Sequence, residues 1–218
     1  MIKLKGRERK WIFVEIITLR LGQYSVNTYI LHKEKHRAVI VDPGDGFEAL
    51  DKALCDKGLV PEGIILTHAH FDHIASLTRL RTKYSCPVYL HKEEAAMLAD
   101  SEKNMTRYFC NDCIEISDPE FMLDDRELFE VSGIEFSVMH TPGHTKGSCI
   151  YRSDNVLFTG DTLFSNTCGR CDLWGGSPEE MKASLDRIFT IKEDLVFCSG
   201  HGAVSSLDRV RNIYKYFL

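Results

Sequence analysis

A chain of 218 residues with 44% apolar side chains is long and apolar enough to bury a core, which excludes a disordered or fibrous class. Its formal net charge of -5 gives no whole-molecule attraction to phosphate backbones, so no nucleic-acid partner is expected. The single basic stretch, KLKGRERK, falls at residues 3–10 and reads as a solvated, flexible arm on one domain spanning 1–218.

The WIFVEIITL that follows is too short to span a membrane, is interrupted by Glu15 and precedes no small-residue cleavage site. It is predicted as a strand at 12–20 of a cytoplasmic protein with no membrane partner. Further strands are predicted at 26–32 and 37–41, then a helix at about 46–57 and a short apolar strand at 63–67. A helix at about 73–84 carries Leu77, Leu80 and Tyr84 on one face, and a strand at 87–91 and a short helix at 92–98 follow. The polar, unperiodic stretch from 99 to about 120 reads as a surface loop. Strands are predicted near 127–131, 134–140, 148–152 and 155–159, then a Gly-rich loop at 160–176. Ser177-Pro178-Glu179-Glu180 supplies an N-cap, a proline at the first position and a glutamate at the third, so a helix should run from there to about Phe189. A strand at 194–198, the SGHG turn and a final helix from about 205 complete the order. Strands alternating with helices and no linker give an α/β fold of mixed sheets faced by helices.

Eight cysteines at 55, 86, 110, 113, 149, 168, 171 and 198, with no export signal, read as free thiols. The CxxC pairs Cys110/Cys113 and Cys168/Cys171 lie too far apart for the usual zinc-site spacing and read as loop thiols.

The chemistry concentrates in THAHFDH at 67–73. His68 and His70 are two apart at a strand end, where extended backbone sends both side chains to the same side. Asp72 and His73 stand where the next helix begins and turn away, toward a second ion close to the first. His144 in TPGHT, Asp161 in TGDT and His201 in SGHG each follow a predicted strand in a glycine-containing turn. A lone histidine in a turn is usually solvated. Seven ligand-type residues all at strand ends instead match the ligand count of a two-metal hydrolytic site. His32, His36, His91 and His140 lack such neighbours and read as ordinary residues.

HxHxDH (68–73), TPGHT (141–145), GDTLF (160–164) and GHG (200–202), in this order, resemble the metallo-β-lactamase superfamily. GDTLF followed by CGRCDLWGGSPEEMKASL is similar to its glyoxalase II-like, or hydroxyacylglutathione hydrolase-like, branch. The resemblance implies a four-layer αββα sandwich with the metals at one edge between the sheets. It implies that His68, His70 and His144 hold one metal, that Asp72, His73 and His201 hold the other, and that Asp161 bridges. It also implies two divalent ions per chain, zinc first, with iron or manganese compatible with the mixed ligands. Full-length glyoxalase II enzymes carry a C-terminal helical domain whose basic residues help hold glutathione; the present sequence matches a short form without it. Lys146, where proline is usual, and Arg170 are the candidates for meeting an anionic part of a substrate, and Cys171 stands where threonine is usual.

The expected reaction is hydrolysis of a small-molecule thioester of the S-acylglutathione type by a water made acidic between the ions, with Asp72 handling its proton. A thiolate of parent pKa roughly 8.5 leaves without protonation, whereas an amide nitrogen needs an acid that the motifs do not supply. The alternative is a persulfide dioxygenase-like enzyme, which the resemblance places on a single iron at His68, His144 and Asp161. Flavodiiron-type relatives carry a carboxylate where His70 stands, ribonuclease Z-like enzymes need basic extensions, and a thiol-sensing module has no use for seven ligands.

Overall fold

The computed structural model describes residues 2–3, 14–33, 35–109 and 118–218. Its elements run β1 (Ile2–Lys3), β2 (Glu15–Leu21), β3 (Val26–His32), β4 (Arg37–Val41), α1 (Phe47–Lys57), β5 (Val60–Ile65), α2 (Phe71–Ile74), α3 (Leu77–Tyr84) and β6 (Val88–His91). A 3-10 turn at Lys92–Glu94 leads into α4 (Ala95–Leu98) and α5 (Thr106–Phe109), then β7 (Phe121–Leu123). The second half runs β8 (Leu128–Val131), β9 (Ile134–His140), β10 (Cys149–Ser153), β11 (Val156–Gly160), α6 (Pro178–Ile188), β12 (Val196–Ser199), β13 (Ser205–Ser206) and α7 (Leu207–Val210), with a last 3-10 turn at Tyr214–Tyr216.

One sheet has seven strands in sequence order, antiparallel from β1 to β4 and parallel from β4 to β7. The other has six in the order β13-β12-β11-β10-β9-β8, with only β11 and β12 parallel. Side-chain alternation along the strands separates the layers. Tyr29 and Leu31 of β3, Val39 and Val41 of β4 and Ile65 of β5 meet Phe136, Tyr151, Phe158 and Cys198 in a core between the two sheets. Their neighbours Ile30, Ala38, Ile40 and Ile64 pack the opposite face against Leu50 and Leu54 of α1 and Leu77 and Leu80 of α3. On the far side, Ile150, Leu157 and Phe197 take Met181, Leu185 and Ile188 of α6 with Leu207 and Val210 of α7. The result is helices, sheet, sheet, helices: the four-layer αββα sandwich the sequence predicts.

Several boundaries differ from the sequence reading. The helix expected at 73–84 is two pieces, because Ser76 is engaged elsewhere: its N–H donates to the Pro43 carbonyl at 3.0 Å and its hydroxyl to the Gly44 carbonyl at 2.5 Å. The stretch expected as loop contains α5, and the strand expected at 63–67 is β5, which ends at Ile65. The basic arm apart from Ile2–Lys3, the first CxxC pair Cys110/Cys113 and part of the expected 99–120 loop lie outside the described residues.

The topology fixes one edge. β9, β11 and β12 all run the same way, since β10 is antiparallel to both β9 and β11 while β11 and β12 are parallel. Their C-terminal ends therefore emerge together, and Cys149 N–H donates to the Thr67 carbonyl at 2.9 Å to bring the segment after β5 to the same place. No helix among the described residues is long and apolar enough to cross a membrane.

Candidate metal centre

Asp161, His201 and the TPGHT turn follow β11, β12 and β9 in the second sheet, and THAHFDH follows β5 in the first. The β12 turn is held by Asn27, whose N–H donates to the Gly200 carbonyl at 2.7 Å and whose side-chain amide donates to the Ser199 and Gly202 carbonyls at 3.0 Å each. Position 200 must be glycine, because a Cβ there would collide with Asp161 Oδ1 and His73 Cε1. At Gly143, φ is 137° and a Cβ would strike the backbone of Met181, so the turn carrying His144 sits directly on α6.

All seven sequence-predicted ligands converge. His68, His70 and His144 can offer ligand atoms within 4.8 Å of one another, as can Asp72, His73 and His201, and a third group joins His68, His73 and Asp161. His68 thus reaches toward both trios, which the sequence alone did not foresee. Asp161 lies between them: Oδ1 is 3.4 Å from His73 Nε2, and Oδ2 is 3.7 Å from His144 Nε2 and 3.5 Å from His201 Nε2. Asp72 Oδ2 is 3.3 Å from His201 Nε2 and 3.9 Å from His73 Nε2.

The outward-facing ring nitrogens are tied to the scaffold. His73 Nδ1–H donates to Asp42 Oδ2 at 3.0 Å, His144 Nδ1–H to the Arg170 carbonyl at 2.7 Å and His201 Nδ1–H to the Tyr24 carbonyl at 3.0 Å. Each bond fixes a tautomer with the Nε2 lone pair facing inward, the arrangement that metal-ligating histidines need. Those inward atoms have little else to do. His68 Nε2, His70 Nε2, His73 Nε2 and Asp161 Oδ1 are buried without a hydrogen-bond partner, and His70 Nδ1 faces His144 Nε2 at 2.8 Å. Orphaned lone pairs around one space are costly unless a cation lies among them, so the donor set fits divalent ions.

The electrostatics agree. Burial drives the His68 imidazole well below its usual value and that of His70 down to about 3, keeping both neutral. Burial would lower His73 as well, but the carboxylates of Asp72, Asp161 and Asp42 overcome it and hold that imidazole well above the histidine range. Burial opposes ionisation of Asp161, yet His73 and its neighbours hold the carboxyl well below the usual range. Three carboxylates converging on His73 are a strong field for positive charge.

Two residues that the sequence reading missed position this set. Asp42 is 1% exposed and accepts from Thr67 N–H at 2.8 Å and the Thr67 hydroxyl at 2.6 Å besides His73. Its sequence signal was the VDPGDG turn after a strand, and in the structure it takes a left-handed φ of 51°, uncommon for a non-glycine residue. Glu94 is fully buried and accepts from Ala69 N–H at 2.9 Å, the Thr145 hydroxyl at 2.9 Å and Gly147 N–H at 2.8 Å, joining the backbone of THAHFDH to that of the His144 turn. Burial pushes its carboxyl up to about 7.

The two substrate candidates are placed less deeply. Lys146 is exposed, its ammonium 5.7 Å from the centre of the Trp174 ring, and its carbonyl accepts from His140 Nε2. Arg170 gives His144 its carbonyl, while its guanidinium turns outward to Asp172 at 2.6 and 2.8 Å. Cys168 and Cys171 are free thiols and join no group of potential ligands among the described residues. His91 and His140 stack with centroids 4.0 Å apart.

A family model described as the metallo-beta-lactamase superfamily matches residues 21–201. The chain is 32% identical over 185 residues to the "Probable metallo-hydrolase YqgX" of Bacillus subtilis, covering 84% of this chain and 87% of that protein. It is 36% identical over 174 residues to a hydroxyacylglutathione hydrolase of Pectobacterium carotovorum subsp. carotovorum, covering 79% of this chain and 60% of that enzyme. Among solved structures it is similar to BLEG-1 B3 metallo-beta-lactamase, with a TM-score of 0.87 and 34% identity over 93% of this chain and 99% of that one. It is also similar to TTHA1623 in a di-iron-bound form, with a TM-score of 0.81 and 30% identity over 92% of this chain and 99% of that one.

Proposed function

Because the chain belongs to the metallo-beta-lactamase superfamily, we propose that it is a metal-dependent hydrolase with two ions, acting on a small-molecule thioester in the manner of the glyoxalase II branch. The observation that carries this reading is the position of Asp161, whose two oxygens face His73 on one side and His144 and His201 on the other. A carboxylate set between two trios is the arrangement that shares two ions. The likeness to a hydroxyacylglutathione hydrolase supports the thioester, and the di-iron form of a similar structure supports the pair of metals.

His68, His70 and His144 would hold one ion, Asp72, His73 and His201 the other, and Asp161 both; zinc is the proposed metal. Bound there, two divalent ions supply Lewis acidity toward a carbonyl and lower the pKa of a water toward ~7. The protein's own groups do the rest. Asp72, with Oδ2 3.3 Å from His201, is placed to orient the attacking water and take its proton. Asp42, the Arg170 carbonyl and the Tyr24 carbonyl keep three imidazoles in the ligand tautomer through the reaction. The thiol leaves as thiolate, so no acid beyond these residues is required. Lys146 and Arg170, on the side of the first trio, are proposed to meet an anionic carrier.

Purified protein loaded with zinc or iron should retain about two equivalents after dialysis and release thiol from lactoylglutathione. Retention of a single iron, with oxygen uptake on glutathione persulfide and no thiol release, would replace this reading with the dioxygenase.

A further inference from the structure

A cavity of about 280 Å³ opens beside Asp72. Tyr24 reaches it from the turn between β2 and β3, Phe71 from within the histidine motif and Phe109 from α5. The three rings brace one another: Phe71 stacks on Phe109 at 4.6 Å, and Tyr24 stands edge-on to both at 5.1 and 6.1 Å. Phe71 N–H is also fixed to the Asn104 carbonyl at 2.8 Å. These contacts order the wall, whose Tyr24 and Phe109 rings are 42% and 46% exposed, and it is joined to the centre through Tyr24, whose carbonyl holds His201.

The charges on the rim have a sign. Arg79 is the cation lining the cavity, and it is spent on Glu48 at 2.6 Å with its guanidinium 4.0 Å over the Phe47 ring. Asp45 also lines the cavity and makes no ion pair with a described residue. Among the described residues the cavity thus offers aromatic surface and a carboxylate without an ion-pair partner, a poor place for an anion. It is lined by Asp72 of the Asp72/His73/His201 trio, whereas the Arg170 carbonyl bonds to His144 and Lys146 stands two residues after it. The two halves of a thioester would be sorted by this polarity, the anionic carrier to the lysine side and the acyl group to the aromatic side.

We propose that the cavity framed by Tyr24, Phe71 and Phe109 binds the acyl side chain of the substrate and selects uncharged, medium-sized apolar acyl groups over both acetyl and carboxylate-bearing ones. The proposal rests on the thioester hydrolase reading above and adds its specificity. Water adds across the thioester to give the apolar acid and the free thiol; the cavity changes only which acyl group is held. Burying a methylene is worth roughly fourfold in affinity, so four of them partly buried give a preference of at least about tenfold.

The test uses the zinc-loaded protein and thioesters of one small neutral thiol, N-acetylcysteamine, bearing acetyl, hexanoyl or succinyl groups. We expect kcat/KM for hexanoyl to exceed that for acetyl and succinyl by at least about tenfold. Phe109→Ala should remove most of that preference, lowering kcat/KM for hexanoyl about tenfold more than for acetyl. Calorimetric binding of the thioether S-hexyl-N-acetylcysteamine gives a readout independent of turnover, and Phe109→Ala should weaken it by about tenfold. Equal rates for all acyl groups, or a Phe109→Ala effect shared equally by acetyl and hexanoyl, would overturn the cavity proposal and leave the hydrolase standing. No thioester cleavage, with Phe109-dependent binding of the thioether intact, would overturn the hydrolase reading and keep an apolar ligand in the cavity. Absence of both would overturn both.

Discussion

Replacing Asp42 by asparagine isolates the contribution of a residue that touches no ion. Its Oδ1 accepts Thr67 N–H, and its Oδ2 accepts the Thr67 hydroxyl and His73 Nδ1–H at 3.0 Å. Asparagine has one carbonyl oxygen; satisfying the Thr67 N–H with it turns the amide NH2 toward His73. Two N–H groups cannot face each other there, so the neutral ring that an ion needs would carry its proton on Nε2, the atom aimed at Asp161 and Asp72. Binding an ion then requires the first tautomer back, with two buried donors unpaired at about 1–3 kcal/mol. At about 1.4 kcal/mol per tenfold, the ion held by Asp72, His73 and His201 should weaken by roughly 5- to 150-fold. The ion on His68, His70 and His144 should weaken by less, since His70 and His144 make no bond to Asp42 and His68 is linked to it only through the Thr67 hydroxyl at 3.1 Å. Zinc competition against a chromophoric chelator, fitted to two sites, reads both constants, and thermal melting of the metal-free proteins checks the fold. Two sites of unchanged affinity in the Asp42→Asn protein would refute the tautomer reasoning.

Asp72→Ala should lower turnover by at least ~10²-fold in a steady-state assay of thiol release, and activity within a few-fold of wild type would remove Asp72 from the mechanism. His201→Ala should carry about one metal equivalent by elemental analysis where the parent carries two, because His68, His70 and His144 remain intact. Glu94→Gln should lose about 1–3 kcal/mol in denaturant melts, since all three of its neighbours donate and an amide N–H must face one of them. Its pH dependence has a definite sign: the folded carboxyl, raised to about 7, holds a proton that the unfolded chain releases from about 4.5 upward. Wild type therefore loses stability between those values as pH rises, and its advantage over Glu94→Gln should narrow across that window in metal-free melts. Replacing Cys110 and Cys113 together by serine should leave metal content and Tm nearly unchanged; a lost equivalent would reveal a structural zinc.

The candidate ligands were legible as a cluster because each is announced locally. His144, Asp161 and His201 sit beside glycines that a crowded turn requires, and HxHxDH packs four of them into one phrase. The strands were legible where β-branched residues alternate, as in Ile134–His140, where the expected and observed bounds coincide. What was hidden depends on the other half of the chain. Glu94 stands in a charged KEE run that reads as a solvated face, and only the Ala69, Thr145 and Gly147 donors, brought from two sheets, make its burial tolerable. Helix continuity through Ser76 is favoured locally but lost to the carbonyls of Pro43 and Gly44. The aromatic cavity was invisible for the same reason: Tyr24, Phe71 and Phe109 are neighbours only in space.

The division of the ligands between the sheets has a consequence for how the molecule comes into being. His68, His70, Asp72 and His73 belong to the first-half segment, and His144, Asp161 and His201 to the second, so neither trio is complete until chain that is 60 or more positions apart in sequence has met. Each ion of the proposed pair would then be a rivet driven through a seam, with its binding energy shared between halves that the tyrosine-lined interior holds in register. A full set of ligands for either proposed ion exists only in a chain whose two sheets have closed on each other. The seam where the proposed substrate would enter is the one the proposed ions would hold together.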